Sequence, residues 1–202
     1  MTHISTKAGA MGAAITGMAA ITLSIAASGA ALAQDGAADR ANKPQASGQT
    51  AAEAAEADAA AAAAAAAETQ ARIYLNAQQA YLAGLQTSDG WYTMEGGLRW
   101  RYLEYVGRGE RPTAADTVTV HYAGTFIDGE SFDSSYERGQ PATFPLSGLI
   151  PAWEMAIPQM RVGETIEIAA PADLAYGPRG RGPIPGGATL VFKVELLGIA
   201  GR

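Results

Sequence analysis

Two hydrophobic patterns divide the chain. Ahead of Gly84 the apolar positions are mostly alanine, running from Ala51 to Ala67 as AAEAAEADAAAAAAAAA and continuing as ETQARIYLNAQQAYLAGLQ. Alanine has the best intrinsic helix propensity, and no Gly or Pro breaks the run before Gly84, so the pattern predicts a long helix over about Ala51 to Ala83. Tyr74, Gln78, Tyr81 and Leu85 recur at steps of four, three and four, a narrow stripe suited to self-association. The first half has almost no bulk to bury and reads as a solvated low-complexity helix packed only at its end, with a stalk as the alternative. From Gly90 onward the period becomes two. Leu98, Trp100 and Tyr102 alternate with arginines, and Val118, Val120 and Tyr122 alternate with Thr119 and His121. Ile166 and Ile168 repeat the pattern, and Leu190, Phe192, Val194 and Leu196 show it most clearly. Turns fall at Asp128-Gly129 and throughout Gly177 to Gly187. One short helix is expected at Trp153 to Ile157, ended by Pro158, with Trp153, Ile157 and Met160 on its inner face. The expected class is α+β: an antiparallel sheet half-wrapped around one short helix, preceded by a long Ala-rich helix. Its concave side is where a ligand would sit.

Composition refines the front of the chain. His3 and Lys7 precede an apolar run of 13 residues, Ile15 to Ala27, and Ala31-Leu32-Ala33 forms a small-x-small cleavage signal before Gln34. Residues 1–33 are therefore expected to be a secretory signal peptide directing the protein to the periplasm. A membrane anchor is the weaker reading, because the run is shorter than the ~20 residues that cross a bilayer. Residues 34–50, rich in Gly, Ala, Ser, Gln and Asn, are expected to be a disordered tether. The helical extension is expected over 51–90 and one compact domain over 91–202.

Charge and cysteine content exclude several functions. A formal net charge of -6 argues against nucleic acid as a partner. With Cys 0 there is neither a disulfide framework nor a thiolate nucleophile. The glycines around Arg179-Gly180-Arg181-Gly182 lack the order of a phosphate loop and no helix follows them. No cofactor or metal is expected.

The chemistry concentrates in Val118 to Arg138 (VTVHYAGTFIDGESFDSSYER), Ile150-Pro151-Ala152-Trp153 and Ala175-Tyr176-Gly177. These segments hold aromatic and aliphatic side chains with a single carboxylate, Asp133, and no obvious nucleophile. Their residues alone suggest a pocket that works by shape and dryness. Bland readings stand beside this one. Tyr122, Trp153 and Phe192 suit a core, Asp133 before two serines suits a turn, and Tyr176 suits a loop anchor. His121 faces away from the side of Val118, Val120 and Tyr122, which suits a structural role.

In order along the chain, Val118 to Gly129, Phe132-Asp133-Ser134-Ser135, Ile150-Pro151-Ala152-Trp153, Asp173-Leu174-Ala175-Tyr176-Gly177 and Ala188 to Leu197 closely resemble the FKBP-type peptidyl-prolyl cis-trans isomerases. The resemblance runs from about Gly96 to Ile199. It is nearest to the secreted branch with an N-terminal helical extension, which includes the macrophage infectivity potentiators. Met94 to Leu98 resembles that branch's entry segment, and Phe144-Pro145-Leu146-Ser147 its shorter loop.

That resemblance implies a site residue by residue. Trp153 is the implied floor under a proline ring; Tyr122, Phe132 and Phe192 are its walls, and Leu149 and Ile150 its aliphatic rim. Tyr176 and the Ile150 backbone N–H are implied donors to substrate carbonyls. Asp133 corresponds to the family's buried-edge carboxylate, Arg138 to its partner, and Ile184 to an apolar contact from the later loop. Asp133, Tyr176 and Ile150 are the implied catalytic groups.

The implied reaction is X-Pro rotation in unfolded or folding exported polypeptides. Peptide rotation faces a barrier of about 18 to 20 kcal/mol set by amide resonance. Twisting the bond reduces charge separation between the amide oxygen and nitrogen, so a water-poor site disfavours the planar state without any nucleophile. Macrolide inhibitors and a homodimer through the N-terminal helix complete the expected partners. The competing expectation is a non-catalytic chaperone or partner-binding module. Three departures from the family pattern bear on selectivity: Ala142 after Pro141 where an aromatic is frequent, Pro158 in the short helix, and the Gly- and Arg-rich loop from Gly180 to Gly187.

Overall fold

The computed structural model describes residues 47–201. The expected signal peptide and nearly all of the expected tether lie outside the described residues. The Ala-rich segment forms one helix, α1 (Ser47–Gly84), of 38 residues and so roughly 57 Å long. It begins a turn earlier than Ala51, taking in the last four residues assigned to the tether. Gly48 costs about 1 kcal/mol relative to alanine in a helix interior, but propagation from an established alanine run is cheap enough to carry across it.

Seven strands follow: β1 (Tyr92–Thr93), β2 (Arg99–Glu104), β3 (Thr117–Thr125), β4 (Ser131–Ser134), β5 (Ala142–Pro145), β6 (Thr165–Ala170) and β7 (Leu190–Ile199). They form one antiparallel sheet in the order β1-β2-β6-β7-β3-β4. β5 shares an edge of β3 with β4, Val118 standing opposite Phe144 and Ala123 opposite Ser134. Between β5 and β6 lies the short helix α2 (Pro151–Ala156). Pro151 suits its first turn, where the missing N–H costs nothing. Pro158 does not break the core. It is accommodated in a tight turn over Ile157–Gln159 that continues directly from α2.

Burial explains the strand patterns. β3 alternates strictly between buried and half-buried positions along nine residues, with Val118, Val120, Tyr122 and Gly124 turned inward. The side chains of Val118, Val120 and Tyr122 join Ile166, Ile168, Leu190, Val194 and Leu196 in a core against Trp153, Ile157 and Met160 of α2 and its extension. β6, by contrast, is buried at nearly every position. The reason is a second small core on the opposite face, where Trp91, Ala169 and Val191 pack with Tyr81 and Leu82 from the end of α1 and with Leu85 just beyond it. Arg101 sits over the Trp91 ring at 4.6 Å and pairs with Glu167 at 2.6 Å.

The α1 stripe packs, at least in part, within the chain. Tyr74 packs on the main core, Gln78 is buried, and Tyr81 and Leu85 join the second core. Leu75 approaches the loop at Gly187 so closely that a Cβ there would lie 2.5 Å from its Cδ2. Gly187 also has a φ of +78°, so two constraints favour glycine at this position. No helix among the described residues is long and apolar enough to cross a membrane.

Candidate functional site

On the concave side a cavity of about 230 Å³ opens between the sheet and the head of α2. This is smaller than the ~300–1,000 Å³ of pockets for drug-sized ligands and suits a single ring with its adjoining bond. β3 supplies Tyr122, β4 supplies Phe132 and Asp133, β5 supplies Phe144 and β7 supplies Phe192. Trp153 rises from α2, Leu149 and Ile150 come from the segment before it, and Tyr176 from the segment after β6. The rings are arranged edge to face. Trp153 lies 5.3 Å from Tyr122 and 5.4 Å from Phe192, and Phe132 lies 5.8 Å from Phe192, all near perpendicular. Edge-to-face pairs of this kind are each worth about 0.5–1.5 kcal/mol beyond their buried area. A larger hollow of about 570 Å³, beside Val106 and Leu197, contains no aromatic ring.

The room for these rings comes from a residue without a side chain. Gly124 stands in β3 opposite both Asp133 and Phe192. A Cβ at this position would come within 2.6 Å of Phe132 Cζ and 3.2 Å of Phe192 Cε1.

The cavity edge carries a closed network of three polar side chains. The Tyr122 hydroxyl donates to Asp133 Oδ2 at 2.5 Å, Arg138 donates one nitrogen to Asp133 Oδ1, and its other terminal nitrogen donates to the Tyr122 hydroxyl at 2.8 Å. The guanidinium also lies over the Tyr122 ring at 5.4 Å. Burial by itself would raise the Asp133 pKa, but the hydrogen bonds from Tyr122 and Arg138, together with the Arg138 charge, outweigh it and hold the carboxyl below its ordinary value. The Tyr122 phenol is pushed up, first by burial and then by its bond to Asp133. Asp133 is therefore an anion at neutral pH and Tyr122 a neutral donor. The ion pair is 41% and 44% exposed at its two side chains, so its role is orientation more than stability.

Ile150 is the residue that heads α2 in extended backbone, so its N–H falls outside the helical hydrogen-bond ladder. Ile150, Tyr176 and Asp133 all line the cavity.

Of the residues proposed from sequence, Tyr122, Phe132, Asp133, Leu149, Ile150, Trp153, Tyr176 and Phe192 come together around this cavity. Ile184 stands apart from it, and Arg138 reaches only its edge, through Asp133 and Tyr122. Arg138 is exposed, while Ile184 is buried in the main core and pairs with Arg181 across a tight loop. Two residues escaped sequence reasoning. Phe144 occupies an alternating position whose register against Val118 turns it inward, and Gly124 shows its importance only when β4 and β7 flank it. His121 bonds Ser135 and stacks on Tyr136, away from the cavity.

An antiparallel sheet curled over one short helix, with an aromatic cavity between them and a carboxylate at its edge, defines a prolyl-isomerase type of domain. Residues 109–197 match the family described as FKBP-type peptidyl-prolyl cis-trans isomerase, and the chain belongs to that family. It is 47% identical over 121 residues to the FKBP-type isomerase FkpA of Aeromonas hydrophila, covering 60% of this chain and 45% of that protein. It is 44% identical over 121 residues to outer membrane protein MIP of Legionella longbeachae, covering 59% and 52%. Among solved structures, Escherichia coli FkpA superposes with a TM-score of 0.62 at 36% identity, covering 79% of this chain and 75% of that one. A Pseudomonas syringae peptidyl-prolyl cis-trans isomerase superposes at 0.58 with 32% identity, covering 63% and 94%. The chain spans about half the length of the curated relatives it matches.

Proposed function

We propose that this protein catalyses cis-trans isomerisation of X-Pro bonds in unfolded or folding polypeptides, with Asp133, Tyr176 and the Ile150 N–H as the groups that hold the substrate. The observation that carries the reading is the ring-walled cavity, sized for a prolyl ring and edged by an ionised, firmly oriented Asp133. A prolyl ring seated on Trp153 puts its preceding amide at the mouth. Rotation then takes place among aromatic faces, where loss of amide charge separation on twisting is penalised less than in water. Ile150 N–H and Tyr176 hold carbonyls on either side while Asp133 fixes Tyr122. No proton is transferred and no covalent bond forms. The family relatives and the assembled cavity favour this reading over a non-catalytic binding module.

The test is a protease-coupled assay on a Leu-Pro tetrapeptide with the full chain, Asp133→Leu and Tyr176→Phe. Acceleration over the uncatalysed process, which takes on the order of 10 to 100 s at 25 °C, should fall in both variants. A well-folded protein without acceleration would overturn the proposal.

Three finer readings accompany it. Residues 1–33 act as an export signal, and a mature N-terminus at Gln34 is the expected product. Macrolides compete for the same cavity, with affinity reduced where Ala142 replaces an aromatic. A homodimer through α1 would use Ile73, the large apolar side chain that the helix leaves most exposed; Ile73→Lys should then lower the mass measured by light scattering.

A further inference from the structure

Beside the prolyl cavity lies a second hollow, of about 470 Å³, with one wall formed by α1. Tyr74 of the helix faces the turn between β3 and β4, which contributes Asp128 and Glu130, and Pro183 and Pro185 close the third side. Phe132 lines both this groove and the prolyl cavity. The rings of Phe192, Phe132 and Phe126 form a continuous row leading from one to the other, at 5.8 Å and 5.2 Å. A polypeptide with its proline on Trp153 can therefore cross Phe132 and continue along α1.

We propose that this groove binds the segment of the substrate polypeptide flanking the proline and favours lysine or arginine there. The inference rests on the prolyl-isomerase reading for its neighbouring cavity, and on the groove's own chemistry for the preference. The charged residues lining the groove, Asp128 and Glu130, are both acidic and exposed, and no lysine or arginine lines it. Pro183 and Pro185 present rigid walls without N–H donors, so the recognition is aromatic contact plus negative charge. The Tyr74 phenol, pushed up by burial and by the nearby Asp128 charge, faces a basic side chain as a neutral ring and hydroxyl. In this arrangement α1 forms half of a specificity site.

Isomerisation and binding measured side by side test the proposal. The full chain is assayed with a Leu-Pro tetrapeptide, which reaches only the cavity, and with Leu-Pro peptides of about ten residues carrying lysines or glutamates on either side of the proline. The same long peptides, fluorescently labelled, are followed by anisotropy. The lysine peptides should be preferred over the glutamate peptides by roughly threefold to tenfold at low salt, the scale of one or two exposed ion pairs. The preference should shrink at 0.5 M salt, to a Debye length of several ångströms. Asp128→Asn with Glu130→Gln should abolish it without changing tetrapeptide turnover; asparagine can still accept the turn bond from Glu130 N–H that Asp128 Oδ1 now accepts. Asp128→Asn combined with Glu130→Lys, which makes the lining net positive, should reverse it, which a folding defect could not do. Equal handling of both peptide sets by the unaltered protein, or a preference that persists in the double variant, would overturn the groove. Loss of tetrapeptide turnover alone would count against the catalytic reading, and anisotropy would still decide the groove.

Discussion

Gln78, in the middle of the last turns of α1, accepts a hydrogen bond from the backbone N–H of Thr189 at 2.9 Å, across 111 positions of sequence. Both residues are buried, and Thr189 stands immediately before β7, whose residues help form both cores. One amide side chain therefore couples the helix to the strand that bears Phe192.

Replacing Gln78 with leucine leaves the Thr189 N–H buried without an acceptor, at a cost of about 1–3 kcal/mol. The urea midpoint should fall and amide exchange at Thr189 should accelerate. An unchanged midpoint in Gln78→Leu would mean that α1 is not docked in solution.

Trp91 is the centre of the second core and is 4% exposed. Truncation to alanine should destabilise the domain by about 3–5 kcal/mol. Because this core lies on the face of the sheet away from the cavity, tetrapeptide turnover should survive below the new melting temperature. Loss of turnover in still-folded protein would show that the two faces are energetically coupled.

Gly124→Ala tests the cavity from beneath. The new Cβ collides with the far end of the Phe132 ring, which is half-buried and can yield. The fold should persist at a cost of about 1–3 kcal/mol, while the displaced ring narrows the cavity and turnover falls at least tenfold, which corresponds to about 1.4 kcal/mol of transition-state stabilisation. Unchanged kcat/KM would show that Phe132 is not a wall of the working site.

The Asp133 network sets the pH dependence. Its folded pKa lies below the unfolded value of about 3.9, so what the ionised carboxylate contributes is fully present above that value and is lost as pH falls through the folded one. Turnover should therefore be level from about pH 5 to 8 and decline only in stronger acid. Tyr122→Phe removes the bond that helps depress this pKa, and the acid limb should move upward. The carboxyl resonance of Asp133 followed by NMR checks both statements.

Alternation along β3, β6 and β7, a short helix near Trp153 and the unbroken alanine run were legible in the sequence, because each element's period is a local property of the backbone. The cavity residues were legible mainly through resemblance to a family, since inward-facing aromatics look alike whether they fill a core or line a site. The α1 stripe could be seen but not its partner: four residues with helical spacing state that a face will be buried, not against what.

The sequence by itself determined the long helix, the strand periods and the set of aromatic and acidic side chains from which a site could be built. Only the tertiary structure decided that α1 folds back on its own sheet, that Tyr122 joins Asp133 and Arg138 in one network, that Phe144 lines the cavity while Ile184 does not, and that Gly124 makes the room. These outcomes depend on contacts between residues far apart in sequence, and sheet register with helix docking fixes them through packing that no local period encodes.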